Sequence, residues 1–294
     1  MTLRRGYAKL CDLRDFDDPE LIGAVGSLLP EREPLAHVER KVWEMAMLAL
    51  FLEEVGRLTE DTRALAVGAG DERMVFWLAN RIGRMVATDI YGEGDFAAGE
   101  ADAAMLTDPA SRAPFPYRED RLEVRWMDGR ELAFPDECFD VVFSLSSIEH
   151  FGTPSDVARS AAEIGRVLRP GGHAFVVTEC LVKLHPLDRA PAELALRIAT
   201  LGRRRHSATL RRREFLREAF TPRELERQIV RPSGLRLMQP LDTTVSPESW
   251  ENLASYPFGS SQVEPRSGSF YPHILVQRSR SVFTSACLPL QKPL

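Results

Sequence analysis

The sequence predicts an α/β protein whose sheet is mostly parallel and covered by helices on both faces. Three observations carry that expectation. Arg63 to Asp89 switches from strand period to helix period and back, with Gly68-Ala69-Gly70 at the first change. Phe139 to Leu145 is almost continuously apolar, as suits a parallel strand buried on both faces. A helix start at Thr153-Pro154-Ser155-Asp156 separates it from a further apolar run, His173 to Thr178, making a second strand–helix–strand unit.

Taken in order, residues 1–60 read as an N-terminal helical extension and residues 61–294 as the main domain. Leu35, Val38, Val42, Met45, Ala49 and Leu52 step by three and four, the stripe of an amphipathic helix. Trp43, Met47, Leu50 and Phe51 widen that stripe. The pattern leaves open whether this helix packs on the core, flaps over a site or forms a dimer contact.

The next unit is the informative one. Arg63 to Val67 is a short apolar strand, and Met74, Val75, Trp77, Leu78 and Ile82 recur at helical spacing. Met85 to Thr88 is apolar again and ends in Asp89, 21 positions after Gly68. An acid there is placed to grip a ribose hydroxyl pair, so the unit reads as a nucleoside-cofactor site. The turn helps to select the cofactor. A dinucleotide fingerprint needs a small residue where Arg73 stands, and a turn free of negative charge, whereas this one carries Asp71 and Glu72. A carboxylate about 4 Å from a phosphate costs on the order of 4 kcal/mol at an effective dielectric near 20. S-adenosylmethionine has no phosphate, and its sulfonium and ammonium outnumber its carboxylate, so it fits better than NAD.

Ile90 and Tyr91 follow the ribose acid and are placed to cover an adenine face, with core packing as the alternative for Tyr91. Ala97 to Leu106 reads as helical, and Pro109, Pro114 and Pro116 keep the rest of the connection irregular. Leu122 to Met127 is the third strand. It ends in Asp128-Gly129, where the acid could accept from an adenine amino group or serve an ordinary turn. The fourth strand emerges as Ser144-Leu145-Ser146-Ser147-Ile148-Glu149-His150, at the sheet edge where such folds put their chemistry. Asp156 belongs to a helix cap and reads as structural. That helix stops at Arg169-Pro170-Gly171-Gly172, before the fifth strand.

Composition bounds the rest. With 38 basic and 43 acidic residues the net charge is −5, which offers no global field for nucleic acid. The four cysteines, Cys11, Cys138, Cys180 and Cys287, form no CxxC pair and indicate neither a zinc site nor a disulfide framework. They suit a reducing cytoplasm. The longest apolar run, Met45 to Leu52, is too short for a membrane span, and the N-terminus lacks the apolar core of a signal peptide.

Together these residues resemble the class I S-adenosylmethionine-dependent methyltransferases. The matching pieces are Val67 to Gly70, Ala87 to Asp89, Asp128-Gly129, Phe139 to Val142 with Ser144 and His150, and Val167 to Gly172. They occur in the family's order over about residues 60–180, the cofactor half. The resemblance implies a Rossmann-like seven-stranded sheet with an antiparallel last strand and the cofactor across the carboxyl ends of the first four strands. It further implies that Gly68 and Gly70 line the methionine part, that Asp89 holds the ribose and that Asp128 meets the adenine edge. Ala69, Ile90, Tyr91, Gly129 and Ser144 complete the expected cofactor-binding set, and S-adenosylhomocysteine would be the product. Two positions depart from the family's pattern: Ala66 stands where an acid usually holds the methionine ammonium, and Glu72 replaces the third glycine. Glu72 is expected to supply the missing negative charge.

Residues 181–294 read as the acceptor half. Thr221-Pro222-Arg223-Glu224 is a capping box opening a helix to about Val230, Leu235 to Leu241 is a sixth strand, and Val282 to Leu290 is the last. His273 to Val276 is a separate extended piece. Arg203, Arg204, Arg205, Arg211, Arg212 and Arg213 form either a solvated face or a patch for an anionic acceptor, since a guanidinium fork matches phosphate. Nucleic acid ranks third, because the run has no interleaved aromatic residues. Residues 243–272, with Trp250, Tyr256, Phe258, Phe270 and Tyr271, read as a lid whose aromatic residues meet a ring-shaped acceptor or anchor the loop.

The expected reaction is O-methylation of a hydroxyl on a small molecule, a sugar or glycan, or a lipid-linked acceptor. His150 is the expected general base, since its ordinary pKa near 6.5 leaves it neutral at cytoplasmic pH. The alternative for His150 is packing at a helix entrance. Glu149 is open to three readings: it points elsewhere, orients a second group or helps to bind a divalent ion, although no metal site is indicated; Glu179 and His185 are reserves. Alternative functions are N-methyl or aminocarboxypropyl transfer, a non-catalytic cofactor-binding module, and a nicotinamide oxidoreductase.

Overall fold

In the computed structural model, residues 3–185, 188, 218–256, 264–265 and 274–294 are described. Two helices, α1 (Pro19–Leu28) and α2 (Arg40–Glu54), precede β1 (Arg63–Val67), α3 (Arg73–Ala79) and β2 (Arg84–Asp89). Then follow α4 (Ala104–Thr107), β3 (Leu122–Trp126), β4 (Phe139–Leu145), α5 (Pro154–Val167) and β5 (Leu168–Lys183). The C-terminal part adds β6 (Arg236–Leu237), β7 (Ala254–Ser255), β8 (Glu264–Pro265), β9 (Val276–Arg278) and β10 (Ser281–Gln291).

One sheet holds these strands in the order β3-β2-β1-β4-β5-β10-β9-β7-β8, with β6 on β10. The pairs β1–β2, β2–β3, β1–β4 and β4–β5 are parallel, and β10 runs antiparallel to β5 from Val282 opposite Lys183 to Gln291 opposite His173. The chain leaves β1 for β2 on one side and later returns to β4 on the other. This reversal opens a crevice at the carboxyl ends of β1 and β4, where open α/β sheets bind their ligands.

The sheet is larger than the seven strands expected. Among the described residues there are ten, because β7, β8 and β9 add short pairings beyond β10. The sixth strand is shorter than Leu235 to Leu241: only Arg236 and Leu237 pair, with Gln291 and Leu290. The fifth is longer than His173 to Thr178, since α5 passes into β5 at Leu168, which already pairs with Phe139. The helix expected over Ala97 to Leu106 is only α4. In the expected lid, Trp250 packs against the buried cluster of Leu253, Leu275 and Val282. Phe258, Phe270, Tyr271 and the six arginines between 203 and 213 lie outside the described residues.

Strand alternation sorts the core into two layers. Ala64 and Ala66 face the cluster built with α2 and α3, whereas Leu65 and Val67 face the one built with α5. Val42 to Leu52 of α2 are all buried, so this helix is core on every side, with α1 against it. Its elements share one hydrophobic cluster with the sheet, and the amide of Cys11 donates to the carbonyl of Ser285 in β10 at 2.8 Å. Among the described residues no helix is long and apolar enough to cross a membrane.

The α5 cap has the expected form: the Thr153 hydroxyl accepts from the Asp156 amide, and the Asp156 carboxylate accepts from the Thr153 amide at 2.8 Å. Further along, α5 crosses the helical stretch Pro222–Leu225, Glu226–Val230 and Arg231–Ser233 at Gly165. A Cβ there would meet the Ser233 carbonyl oxygen at 1.8 Å. Gly165→Ala is therefore expected to lower stability by about 1–3 kcal/mol through overpacking, read as a lower urea midpoint with the slope unchanged.

Candidate functional site

The turn after β1 is held from three directions. Gly68 and Gly70 have φ of +68° and +49°, the left-handed region that glycine enters without strain. The Gly70 amide donates to the Asp89 carboxylate at 2.8 Å, while the Tyr91 hydroxyl donates to the Gly70 carbonyl at 2.9 Å. The Ser147 hydroxyl donates to the Gly68 carbonyl at 2.7 Å. Space is as restrictive as conformation: a Cβ on Gly68 would meet Cβ of Ser147 at 2.6 Å, and one on Gly129 would meet the Phe151 ring at 2.7 Å.

A cavity of about 290 Å³ opens above this turn, near the lower end of the range of about 300–1,000 Å³ for small-molecule sites. Gly68, Ala69, Gly70, Glu72, Asp89, Ile90, Asp128, Gly129 and His150 all line it, so the structure brings together most of the residues singled out from the sequence. Two of the expected cofactor contacts are not on its wall. Tyr91 is 3% exposed and packs beneath the turn, since its ring is held there by its hydroxyl's bond to Gly70. Ser144 lies within β4 and is 1% exposed; only residues past the strand's end reach the cavity, and these are Ser146 and Ser147. Of the readings open for Glu149, the structure matches the one in which it points away from the cavity. It is 2% exposed and turned behind the wall, where one carboxylate oxygen accepts from the Thr178 hydroxyl at 2.8 Å and the other has no hydrogen-bond partner. Of the reserves, neither Glu179 nor His185 lines the cavity; Glu179 instead pairs with Arg40 of α2 at 3.2 Å.

The wall is acidic. Glu72, Asp89, Glu93, Asp95, Glu100 and Asp128 face the cavity against two basic residues, Lys41 and Arg130, and His150. Burial raises the Asp89 carboxyl above its ordinary pKa although the Gly70 and Ile90 amides hydrogen-bond it. Asp128 goes the other way, held low by Arg130, whose Nε and Nη2 bind it at 2.9 and 2.6 Å. Asp128 also accepts from the Arg130 amide at 2.8 Å, so the Asp-Gly pair is both a turn and part of the wall. Of the two acids on the glycine turn, Asp71 is bound by Arg112 and Glu72 by Lys41.

His150 sits on the short helical turn Ile148–His150, directly after β4. Its ring lies 5.0 Å from that of Phe96, and Nδ1 is 3.8 Å from the Glu218 carboxylate. Burial alone would lower its pKa, but Glu218, Glu149 and Glu179 outweigh that effect and raise it. Sequence reading missed Lys41 and Phe96. Neither carries a local signal, because each meets the site only through tertiary packing. Ser146 and Ser147 could have been found by counting past the strand's last paired residue.

A mostly parallel sheet with a topological switch, a glycine turn and an acid at the end of β2 define the class: an open, Rossmann-like α/β fold. Residues 65–176 match the model of a methyltransferase domain family. Through this segment the chain is similar to the class I S-adenosylmethionine-dependent methyltransferases. It is 34% identical over 110 residues to 27-O-demethylrifamycin SV methyltransferase of Amycolatopsis mediterranei (strain S699), covering 37% of this chain and 36% of that protein. It is 38% identical over 80 residues to phosphatidylethanolamine N-methyltransferase of Cereibacter sphaeroides, covering 27% of this chain and 38% of that protein. The matches thus span under two-fifths of either relative's length. A SAM-dependent methyltransferase structure from Methanosarcina mazei superposes with a TM-score of 0.45 at 15% identity, over 82% of this chain and 96% of that one.

The buried Glu149 carboxyl generates a pH prediction. Burial pushes its pKa up from 4.5 to about 7, so the folded chain holds a proton that the unfolded chain releases. Its stabilising contribution is complete below pH 4.5 and is lost as pH rises to about 7. Glu149→Gln removes this dependence while keeping an acceptor for Thr178. Its stability relative to the parent should therefore grow across that window by roughly 3 kcal/mol, measured by urea unfolding at several pH values.

Proposed function

We propose that this protein is an S-adenosylmethionine-dependent methyltransferase that O-methylates a hydroxyl on a small molecule, a sugar or glycan, or a lipid-linked acceptor. The observation that carries the reading is the shared cavity of the Gly68–Gly70 turn, Asp89 and His150. The residues present suit that cofactor. Gly68 and Gly70 place no side chain on the cavity wall, and the acidic wall favours a cation and disfavours a pyrophosphate. Gly68, Ala69 and Gly70 would pass beneath the cofactor's methionine portion, Asp89 would accept from the ribose hydroxyls, and Ile90 and Asp128 would meet the adenine. When bound, S-adenosylmethionine supplies an electrophilic methyl carbon.

Around it, the chain's work is to bind, to orient and to move one proton. Phe96 and Phe151 give the cavity apolar surfaces that exclude water beside His150. His150 accepts the acceptor's hydroxyl proton. The carboxylate of Glu218 favours the resulting imidazolium, which strengthens the ring as a base and moves its working range above pH 6.5. Glu93, Asp95 and Glu100 on the same wall favour a second reading, N-methylation of an amine, because they would hold a protonated amine as it enters.

The test is transfer of an isotopically labelled methyl group to extract metabolites, followed by mass analysis of the product. His150→Ala should lower turnover on the acceptor so identified by about 10²–10⁴-fold while leaving S-adenosylhomocysteine affinity within a factor of about two. The parent's rate should rise tenfold per pH unit below the His150 pKa, and that limb should vanish in the variant. Unchanged turnover in His150→Ala would remove the assignment.

A further inference from the structure

Lys41 lies at the start of α2 and reaches the cofactor cavity from an element that the glycine turn does not touch in sequence. Its ammonium pairs with Glu72, donates to the Leu145 carbonyl at 3.0 Å and stands 3.6 Å from Oε2 of Glu44. Glu44 is 2% exposed. Its Oε1 accepts from the hydroxyls of Ser146 and Ser285, and its Oε2 has no hydrogen-bond partner. One lysine thus stands between two carboxylates, one of them on the cavity wall. The family's usual place for an ammonium-binding acid is closed here, since Ala66 is 1% exposed within β1 between Ala87 and Phe143. The other basic side chain of the wall, Arg130, is spent on Asp128.

We infer that Lys41 and Glu72 form a matched pair that recognises the amino-acid tail of the cofactor, Glu72 taking its ammonium and Lys41 its carboxylate. The inference rests on the cavity being an S-adenosylmethionine site. Each member of the pair is the other's counter-ion until the zwitterionic tail enters and is exchanged for it. The exchange adds one positive and one negative charge, so the excess negative charge of the cluster is kept for the sulfonium. Lys41 remains near Glu44 and on the Leu145 carbonyl throughout, which holds its ammonium at the cavity edge. A neutral lipid or sugar supplies no replacement counter-ion for either member, so the closed pair also confines the acceptor to the His150 end.

Calorimetry with three ligands that lose the tail stepwise reads the two roles separately. These are S-adenosylhomocysteine, its decarboxylated amine, and 5′-methylthioadenosine. Lys41→Met should weaken S-adenosylhomocysteine by about ten- to a hundredfold while weakening neither of the other two ligands. Glu72→Gln should weaken both amine-bearing ligands by a similar factor and spare 5′-methylthioadenosine. Melting curves check that each variant folds. Should Lys41→Met not fold, Lys41→Gln keeps a polar end for the Leu145 carbonyl and reads the same increment. Equal weakening of all three ligands, or S-adenosylhomocysteine affinity unchanged in both variants, overturns the inference while leaving the cofactor reading intact. If the parent protein binds none of the three, the cofactor reading itself falls and the inference with it.

Discussion

The hydrogen bond from the Gly70 amide to the Asp89 carboxylate fixes the relation between the ends of β1 and β2, and the rest of the site is built outward from it. It joins a backbone turn to an acid 19 residues away, and the Tyr91 hydroxyl locks the same glycine from below. The carboxylate is thereby ordered before any ligand arrives, so little side-chain entropy remains to be lost on binding. Two constraints make the turn intolerant of change. Gly68 and Gly70 sit at positive φ, and their would-be side chains are blocked by Ser147, Phe151 and Glu100.

Electrostatics sets the next level. The wall gathers six carboxylates against Lys41, Arg130 and His150, an imbalance that suits a cationic ligand and repels phosphate. Behind the wall runs a second set of charges: Arg40 with Glu179, Lys41 with Glu44, and Glu149 alone on Thr178. Burying this many charges is costly, and the structure offsets it by pairing most of them across α2 and the ends of β4 and β5. Glu149 is the exception, and its burial is relieved by a raised pKa. The result is a histidine at the cavity surface that faces carboxylates on its far side and an open cavity on its near side.

Helix α2 ties these levels together. It buries every residue from Val42 to Leu52 in the core, yet its first turn carries Lys41 to the cavity and Arg40 to Glu179 behind it. Of the readings open for this helix, its burial matches packing on the core, and its first turn alone reaches the cavity, through Lys41. Anchored by large buried side chains such as Trp43 and Phe51, each worth roughly 1.5–3 kcal/mol on burial, the helix holds its charged end still.

The amino-acid sequence by itself determined the strand–turn–helix–strand unit of Arg63 to Asp89, the buried strand Phe139–Leu145, the capped helix from Pro154, and the placing of Gly68, Asp89, Asp128 and His150 at strand ends. All of these depend on periodicity, glycine and capping chemistry within some 20 residues, so local pattern suffices. Tertiary structure decided what local pattern cannot encode. It turned Glu149 inward and His150 outward, because a short helical turn after β4 points successive side chains to opposite sides of the wall. Tyr91 was drawn under the turn for the sake of one hydroxyl bond, and Ser144 stayed inside the sheet because β4 continues to Leu145. Lys41 met Glu72 only because α2 packs across the sheet, a contact between residues 31 positions apart that no sequence period announces. Such contacts are fixed by the summed packing of the whole core, and therefore appear only once the chain has folded.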